Sequence, residues 1–300
     1  MASVKIEKYT RLPKSKIKAV KALTAKASEF DQTTQPFDWE TIENRSSTSF
    51  CEFIFYRNNK IIAYLSLYDY HQDFFETSAL VSPELRRQGV FTRLLQEALL
   101  EIKNSDKKGL LFKLPPNAKI AKQCLAKLKA TYQYSELTMA YDDITPPIDD
   151  SDVTIRSAHL KDIKKITEID VQQLGQEVDF LKERYLDAIQ SDNRDILLIE
   201  NKQGELVGKA HIKQDEWALT IHNQCLVPNL SSNQYNATQI FSNLVSHIKI
   251  PSLPIQLGVY SYETDSLLNY QKIGFKSINK TEYWLMLIDQ QLTQENKVLH

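Results

Sequence analysis

Apolar positions in the first half of the chain predict alternating strands and helices. Residues 14–28 have apolar side chains every three or four positions, which predicts a helix with one buried face. Two β-rich runs, Phe50–Tyr56 and Ile61–Tyr68, flank Arg57-Asn-Asn-Lys60, a hairpin turn signal. The same patterns predict, in order, strands at Val4–Tyr9 and Glu76–Val81, a helix from Val90, a strand at Leu110–Leu114, a helix at Ala118–Leu128 and a strand at Glu136–Tyr141.

The second half repeats this order of elements. The patterns predict strands at Val153–Arg156, Ile196–Glu200, Leu206–Ile212, Ile255–Tyr260 and Glu282–Ile288, a strand ending at Leu226, and helices at Leu160–Val171, Asp179–Ile189 and Asp265–Ile273 and around Ile240–Ile248. Two halves built alike predict duplication of one mixed α/β fold. A single large doubly wound sheet is the alternative.

The boundary between the halves is an acidic segment with two prolines. Asp142–Asp152 contains Pro146-Pro147, which continues neither a helix nor a central strand, so the segment is typical of a linker. The predicted domains are therefore residues 1–143 and 152–300.

Composition narrows the function classes. Lys plus Arg is 37 against 38 for Asp plus Glu, so the chain has no overall attraction for nucleic acid or anionic membranes, and we expect neither as a partner. The chain shows no signal-peptide core and no window of about 20 apolar residues, so a cytoplasmic location is expected. Its cysteines are far apart and its histidines lack metal-ligand spacing, so we expect neither a disulfide nor a metal.

A strand-to-helix turn within Val81–Leu95 carries the strongest chemical signal. Arg86, Arg87, Gln88 and Gly89 stand immediately before the helix. The positive end of a helix dipole disfavours nearby cations by roughly 0.3–1 kcal/mol each. Two arginines there favour an anion held between them and the free backbone N–H groups, and glycine allows its close approach. A pyrophosphate fits, and a solvent-exposed basic turn is the alternative.

This segment resembles the cofactor motif of the GNAT superfamily of N-acetyltransferases, Q/R-x-x-G-x-G/A after a strand ending V-x-P. Arg86 takes the first motif position and Gly89 the central glycine, while Phe91 replaces the last small residue. The resemblance spans most of residues 1–141 and, more weakly, residues 152–290. It implies two tandem GNAT-like domains with a mixed, mostly antiparallel sheet and flanking helices, and acetyl-CoA as co-substrate.

The resemblance also implies roles for residues of the motif. Backbone amides from Gln88 to Thr92, which include those of Val90 and Phe91, would bind the pyrophosphate of acetyl-CoA. The backbone of Leu80 and Val81 would pair with the pantetheine arm and polarise the thioester carbonyl.

A catalytic base is predicted at Glu76. An ammonium ion must lose a proton before its nitrogen attacks, and a carboxylate near the strand end can take it directly or through water. Glu76 starts the strand that leads to Val81, where similar acetyltransferases often place a glutamate, and it follows Phe74-Phe75, whose burial would raise its pKa. An ordinary solvated strand glutamate is the alternative.

The general acid of the resembled family has no counterpart in the first half. The family places a tyrosine before a Gly-Phe pair, and the second half has Tyr270 before Gly274-Phe275. The first half has Ala126 at that position. Tyr132 or Tyr134 could substitute, or both could be core and strand aromatics. Bulk water is a further candidate, because a thiol pKa of about 8.5 makes the thiolate a fair leaving group.

The second half has the reverse deficit in its cofactor loop. The loop after Pro228 has Asn236 and Gln239 where the first half has Arg86 and Gly89, so the second domain is predicted to be degenerate.

One strand face in the first half is rich in tyrosine. Tyr64, Ser66, Tyr68 and Tyr70 share a face, which either lines an acceptor groove or packs on a helix.

Three hypotheses follow. The first is an N-acetyltransferase that moves acetyl from acetyl-CoA to a primary amine of a small-molecule or peptide acceptor. The second is a non-catalytic acyl-CoA sensor, and the third is an interaction protein whose duplication serves partner contacts.

Overall fold

The computed structural model of the protein describes residues 3–71, 73–103, 105–142, 153–174, 178–191, 193–226, 237–250 and 252–288. These residues form two compact units. The first unit comprises the chain up to Ser135 together with the part from Thr281 onward, and the second comprises Glu136–Lys280.

The described residues of the first unit form five whole strands and four α-helices. The strands are β1 (Val4–Tyr9), β2 (Glu52–Arg57), β3 (Lys60–Tyr68), β4 (Phe74–Val81) and β5 (Gly109–Leu114), and the helices are α1 (Lys14–Asp31), α2 (Trp39–Asn44), α3 (Val90–Ile102) and α4 (Lys119–Lys127). Strand β6 (Thr131–Tyr141) starts in this unit and ends in the second. The β2–β3 hairpin turns at Asn58 and Asn59, whose φ angles of 52° and 61° are left-handed conformations that asparagine tolerates.

The second unit repeats this arrangement. Its elements are β7 (Val153–Ser157), α5 (Ile163–Leu174), α6 (Val178–Ile189), β8 (Arg194–Asn201), β9 (Leu206–Gln214), β10 (Leu219–Leu226), α7 (Ala237–Ile248), β11 (Ile255–Tyr260), α8 (Thr264–Lys272) and the start of β12 (Phe275–Leu287). Phe241, Tyr270 and Phe275 lie in its main apolar core.

Strand pairing within both units is mostly antiparallel. The pairs β4–β5 and β10–β11 are parallel and occupy equivalent places in the two units. The antiparallel pairs are β1–β2, β2–β3, β3–β4 and β5–β12 in the first unit, and β6–β11, β7–β8, β8–β9 and β9–β10 in the second. The predicted mixed, mostly antiparallel α/β fold is thus confirmed, and the doubly wound alternative, which needs parallel neighbours, is wrong.

The last strand of each half pairs in the unit of the other half. Glu282–Leu287 of β12 pairs with Leu114–Gly109 of β5 in the first unit. Glu136–Ala140 of β6 pairs with Tyr260–Gln256 of β11 in the second unit. The compact units therefore differ from the predicted domains, 1–143 and 152–300, by these two pieces. A period-two pattern identifies a strand and its buried face but not the strand that lies beside it.

The sheet of the first unit has an apolar layer on each face. Side chains of α3 and α4, including Val90, Leu94 and Leu125, pack on one face against Phe53, Leu65 and Phe112. Side chains of α1 and α2, including Val20, Leu23 and Ile42, pack on the other face against Tyr64 and Tyr68. The tyrosine-rich face of β3 is therefore packed against helices.

Candidate functional site

Strand β4 extends beyond the end of its pairing with β5. Its register with β3 continues to the pair Ala63–Val81, whereas its described register with β5 stops at Thr77–Phe112. The Ser82 N–H donates to the Ile62 carbonyl at 2.8 Å. Because backbone groups alternate in direction along a strand, Leu80 also faces β3, while Ala79 and Val81 face the side that β5 has left.

This alternation separates Leu80 from Val81, the two residues whose backbone was predicted to pair with the pantetheine arm. Val81 lies on the open side of β4, as the proposed pairing with an extended ligand requires. Leu80 is directed at its register partner Tyr64, so its N–H and carbonyl are used within the sheet. Ala79, which sequence reasoning did not select, shares the open side with Val81.

The loop between β4 and α3 contains two residues with a left-handed backbone conformation. After a short 3-10 turn at Pro83–Leu85, Arg87 has φ 62° and Gly89 has φ 74°. Gly89 is the N-cap of α3, and a Cβ built there would meet no heavy atom within 4 Å, so its conformation and not crowding favours glycine.

The amides at the start of α3 have no capping side chain. The Arg93 N–H donates to the Gly89 carbonyl at 3.1 Å. The N-cap has no side-chain hydrogen bond, and the first turn contains no acidic residue. Helix geometry therefore leaves the N–H groups from Gly89 to Thr92 without helical acceptors, at the positive end of the helix dipole.

The two arginines of the loop have different surroundings. Arg86 donates from both terminal nitrogens to Asp31, at 2.6 and 2.8 Å, and from Nε to the Val81 carbonyl at 3.1 Å. Arg87 is exposed, and the structure gives it no hydrogen bond or ion pair among the described residues. The guanidinium of Arg86 is thus committed to protein groups, and that of Arg87 is the one open to a ligand.

The remaining predicted loop residues divide between surface and core. Gln88 is exposed, and its side chain contacts Arg57 and the Glu84 carbonyl at 3.4 Å. Thr92 is exposed, Val90 is buried, and Phe91 is half-buried with its ring edge-on to Phe112, 6.1 Å between centroids. Phe91 at the last motif position therefore anchors α3 to the sheet.

Glu76 lies in an ion pair. Its Oε2 is 3.3 Å from Nζ of Lys113 on β5, and the two side chains are only 16% and 10% exposed. The same Nζ lies 4.3 Å from the centroid of the Tyr68 ring. The predicted base is thus mostly buried next to a cation, on the sheet face that α1 and α2 cover.

A buried ion pair that sequence reasoning missed lies on the same face. Arg45 Nη1 is 3.0 Å from Glu52 Oε1, and the carboxylate of Glu52, which also accepts a hydrogen bond from the Tyr64 hydroxyl, is fully buried. Burial raises the pKa of Glu52 to about 7, although Arg45 opposes this. Arg45 Nη1 and Glu52 Oε1 are thus close enough for an ion pair but are not oriented for a hydrogen bond, and Arg45 Nη2 and the Ser66 hydroxyl have no hydrogen-bond partner among the described residues. Because the residues next to Glu52 in β2 are apolar, the sequence did not indicate that its charge is buried.

The candidate general acids, and the alanine that replaces one of them, lie in different surroundings. Ala126 is exposed near the end of α4. Tyr132 and Tyr134 lie on β6, where Tyr132 contacts Trp284 edge-on and Tyr134 stacks on Tyr283. In the second unit Tyr270 is buried, accepts a hydrogen bond from Gln224 Nε2 at 3.0 Å, and has its pKa raised by burial to about 12.

The structure also bears on the second cofactor loop, on metal binding and on membrane-spanning helices. The predicted loop of the second half follows Pro228 and runs to Phe241; its residues up to Asn236 lie outside the described residues, whereas Gln239 lies in the first turn of α7. Within the described ranges, no group of three or more His, Cys, Asp or Glu side chains has the geometry to hold a metal. Among the helices that the structure describes, none has the length and apolar character needed to cross a membrane.

Comparison with known proteins agrees with this geometry. Residues 18–119 match the family model described as the acetyltransferase (GNAT) family. No curated protein sequence matches the chain.

Solved structures share the fold along nearly the whole chain. A GCN5-related N-acetyltransferase from Sphaerobacter thermophilus is 16% identical with a TM-score of 0.72, covering 94% of this chain and 96% of its own. A GNAT-family acetyltransferase from Colwellia psychrerythraea is 15% identical with a TM-score of 0.63, covering 94% and 99%. A tandem GNAT protein from the clavulanic acid biosynthesis pathway is 12% identical with a TM-score of 0.69, covering 95% and 98%. The chain thus has the tandem GNAT fold.

Proposed function

We propose, from the match of residues 18–119 to the acetyltransferase (GNAT) family, that this chain transfers an acetyl group from acetyl-CoA to a primary amine. The acceptor is a small molecule or a peptide, and the first unit holds the cofactor. The observation that carries the proposal is the uncapped start of α3 beside the open side of β4.

The pyrophosphate is assigned to the loop before α3. Backbone N–H groups from Gly89 to Thr92 donate to its oxygens, and the exposed Arg87 adds a cation. Arg86 acts as a positioning residue, because its bonds to Asp31 and to the Val81 carbonyl fix where β4 ends relative to the loop. In this proposal only Arg87 contacts the diphosphate, whereas the sequence suggested that both guanidinium groups do.

The pantetheine arm is assigned to the open side of β4. An extended amide chain can pair there with the N–H and carbonyl groups of Ala79 and with the N–H of Val81, because these groups point to that side; the Val81 carbonyl already accepts a hydrogen bond from Arg86 Nε. The N–H of Val81 is then the candidate donor to the thioester oxygen, whose negative charge grows during attack.

The chemical step is direct transfer. The neutral amine nitrogen attacks the thioester carbonyl, the carbon–sulfur bond breaks, and coenzyme A leaves as its thiolate. The amine proton passes to Glu76 directly or through water, and the thiolate takes a proton from water, for which a thiol pKa of about 8.5 suffices. Lys113 positions the carboxylate of Glu76 in this scheme.

Thiol release across a panel of amines tests the proposal. The full chain with acetyl-CoA should release thiol only when a suitable amine is present, and Glu76→Gln should lower that rate by about 10²-fold or more while acetyl-CoA still binds. Glu200→Gln is the matched control, because Glu200 is an ion-paired strand glutamate of similar exposure in the second unit. Equal rates for the two variants would reject Glu76 as the base.

A sensor without turnover is the second candidate. The exposed Ala126 in place of the family's tyrosine favours it, since no hydroxyl stands there to protonate the leaving thiolate. Calorimetry with acetyl-CoA that shows binding, together with no amine-dependent thiol release across the panel, would support the sensor and reject the enzyme.

A further inference from the structure

A primary amine of the chain itself lies next to the proposed base. Nζ of Lys113 is 3.3 Å from Oε2 of Glu76. Direct transfer of a proton to a carboxylate requires a donor within about 2.6–3.2 Å, and such distances are often longer before the substrates bind. The proposed function needs an acceptor amine within this reach of Glu76, directly or through water. The amine of Lys113 already occupies such a position.

Two tyrosine rings hold this amine in place. The Nζ of Lys113 lies 4.3 Å from the centroid of the Tyr68 ring and 6.0 Å from that of the Tyr70 ring. Aromatic faces attract an ammonium group at such distances. The two rings stack with centroids 5.6 Å apart, and the Tyr70 hydroxyl donates to Asp38 Oδ2 at 2.7 Å. The flexible side chain of Lys113 is therefore directed at Glu76.

Lys113 also lies at the point where β4 and β5 separate. It directly follows Phe112, whose pairing with Thr77 is the last in the described register of these two strands. The open side of β4 begins at Ala79, and the proposed function assigns the pantetheine arm and its thioester to that side. A thioester held there approaches Lys113 through the gap between the strands, so the reaction does not require a solvent-exposed lysine.

We propose that Lys113 is a site of self-acetylation, at which the chain transfers one acetyl group from bound acetyl-CoA to its own amine. The inference rests on the proposed function, because it uses the same cofactor site and the same base. The transfer happens once per chain, so it releases at most one coenzyme A per chain and is distinct from repeated, amine-dependent release.

The step balances with the groups already named. The ammonium group of Lys113 gives one proton to Glu76, and the neutral nitrogen attacks the thioester carbonyl carbon. The carbon–sulfur bond breaks, an amide forms, and a second proton of the nitrogen passes through water to the leaving thiolate. The product amide is neutral, so acetylation removes the ion-pair partner of Glu76.

Mass spectrometry of peptides from the full chain, incubated with acetyl-CoA and no added amine, tests the proposal. The acetyl group should accumulate at Lys113 with a first-order rate constant that does not change when the protein is diluted, because the transfer takes place within one chain. A rate constant that falls in proportion to the protein concentration would overturn the inference.

Lys122 is the matched internal control. Its Nζ is also paired with a glutamate, 2.7 Å from Glu282, and lies 6.0 Å from the centroid of the Trp284 ring. Its side chain is 26% exposed against 10% for Lys113. Reaction of acetyl-CoA without catalysis should favour the more exposed lysine, so acetylation of Lys122 at the same rate as Lys113 or faster would contradict self-acetylation.

Glu76→Gln separates the inference from the proposed function. The variant should acetylate Lys113 about 10²-fold more slowly, leave Lys122 unchanged and still bind coenzyme A in calorimetry, which reports a folded first unit. Unmodified Lys113 in a wild-type chain that acetylates an added amine would overturn the inference and leave the proposed function standing. A wild-type chain that neither binds coenzyme A nor modifies Lys113 would overturn both.

Discussion

Arg86 and Asp31 form a bidentate ion pair that ties the loop before α3 to the last residue of α1. Both pairs of atoms lie within 2.8 Å, and the two side chains are 17% and 24% exposed. The third donor of Arg86, Nε, reaches the carbonyl of Val81. An arginine that the motif suggests as a phosphate ligand is therefore part of the scaffold that places the phosphate loop.

Substitution of the two arginines should therefore have different effects, one on coenzyme A binding and the other on stability. Arg87→Ala should weaken coenzyme A binding by up to about tenfold, more at low salt than at high salt, with little change in melting temperature. Arg86→Ala should lower the stability of the first unit by about 1–2 kcal/mol, because it leaves the carboxylate of Asp31 without its partner. Calorimetric titration and thermal melts of both variants check this.

Asp31→Asn provides the control for Arg86. It should reproduce most of the stability loss of Arg86→Ala, and the double variant should cost little more than either single change. Full additivity of the two single losses would show that the ion pair does not act as one unit.

Gly89→Ala should harm both stability and cofactor binding. Its φ of 74° costs a residue with a Cβ about 1 kcal/mol or more. The strain would shift the amides at the start of α3 and weaken coenzyme A binding.

Gly204→Ala is the matched control for this change. Gly204 has φ 76° and equally open surroundings, but it lies in the β8–β9 turn of the second unit. Both variants should melt lower, and only Gly89→Ala should bind coenzyme A more weakly. Equal loss of affinity in the two would contradict the assignment of the loop.

Glu52 should give the first unit a characteristic pH dependence. Burial raises its pKa to about 7 in the folded state, above the unfolded value near 4.3. The folded state therefore binds the proton more tightly, so this contribution to stability is complete below about pH 4.3 and is lost as pH rises to about 7.

Denaturation of wild type and Glu52→Gln between pH 4.5 and about pH 7.5 measures this contribution. The stability of wild type relative to the variant should fall as the pH rises through this window. A difference that stays constant would mean that Glu52 keeps an ordinary carboxyl pKa despite its burial, and one that grows with pH would mean that its pKa is lowered; either result would contradict the raised pKa.

A fragment of residues 1–142 should not fold as the first unit does. It lacks Glu282–Leu287, which pairs with the whole of β5, and Met286, which is 1% exposed in the core beneath α3. We expect low solubility and no cooperative thermal transition by circular dichroism. Residues 275–288 fused to the end of the fragment through a flexible linker should restore both, whereas a fragment already as stable as the full chain would contradict the strand exchange.

Local elements of this fold were predictable because their signals are local. The strands Val4–Tyr9 and Leu110–Leu114 and the turn at Asn58-Asn59 follow from a few neighbouring residues, and the observed bounds agree to within one residue. Helix α2 was missed because its six residues are too few to show a period, although Asp38 caps it by accepting the Thr41 N–H.

Features that depend on contacts between residues far apart in the chain could not be predicted from the sequence. The exchange of β6 and β12, the pairing of Arg86 with Asp31 and the burial of Glu52 beside Arg45 join residues separated by loops or whole elements. Two arginines before a helix indicate an anion site, yet only the folded chain shows that Arg86 is occupied by Asp31. The direction of Leu80 toward β3 likewise depends on register, which a run of apolar residues does not define.

A crystal structure of the full chain with coenzyme A tests the central claim most directly. We predict the diphosphate within hydrogen-bond distance of the amides from Gly89 to Thr92, the Arg87 side chain turned toward it, and the pantetheine amides paired with Ala79 and Val81. Coenzyme A bound in the second unit, with the start of α3 empty, would contradict it.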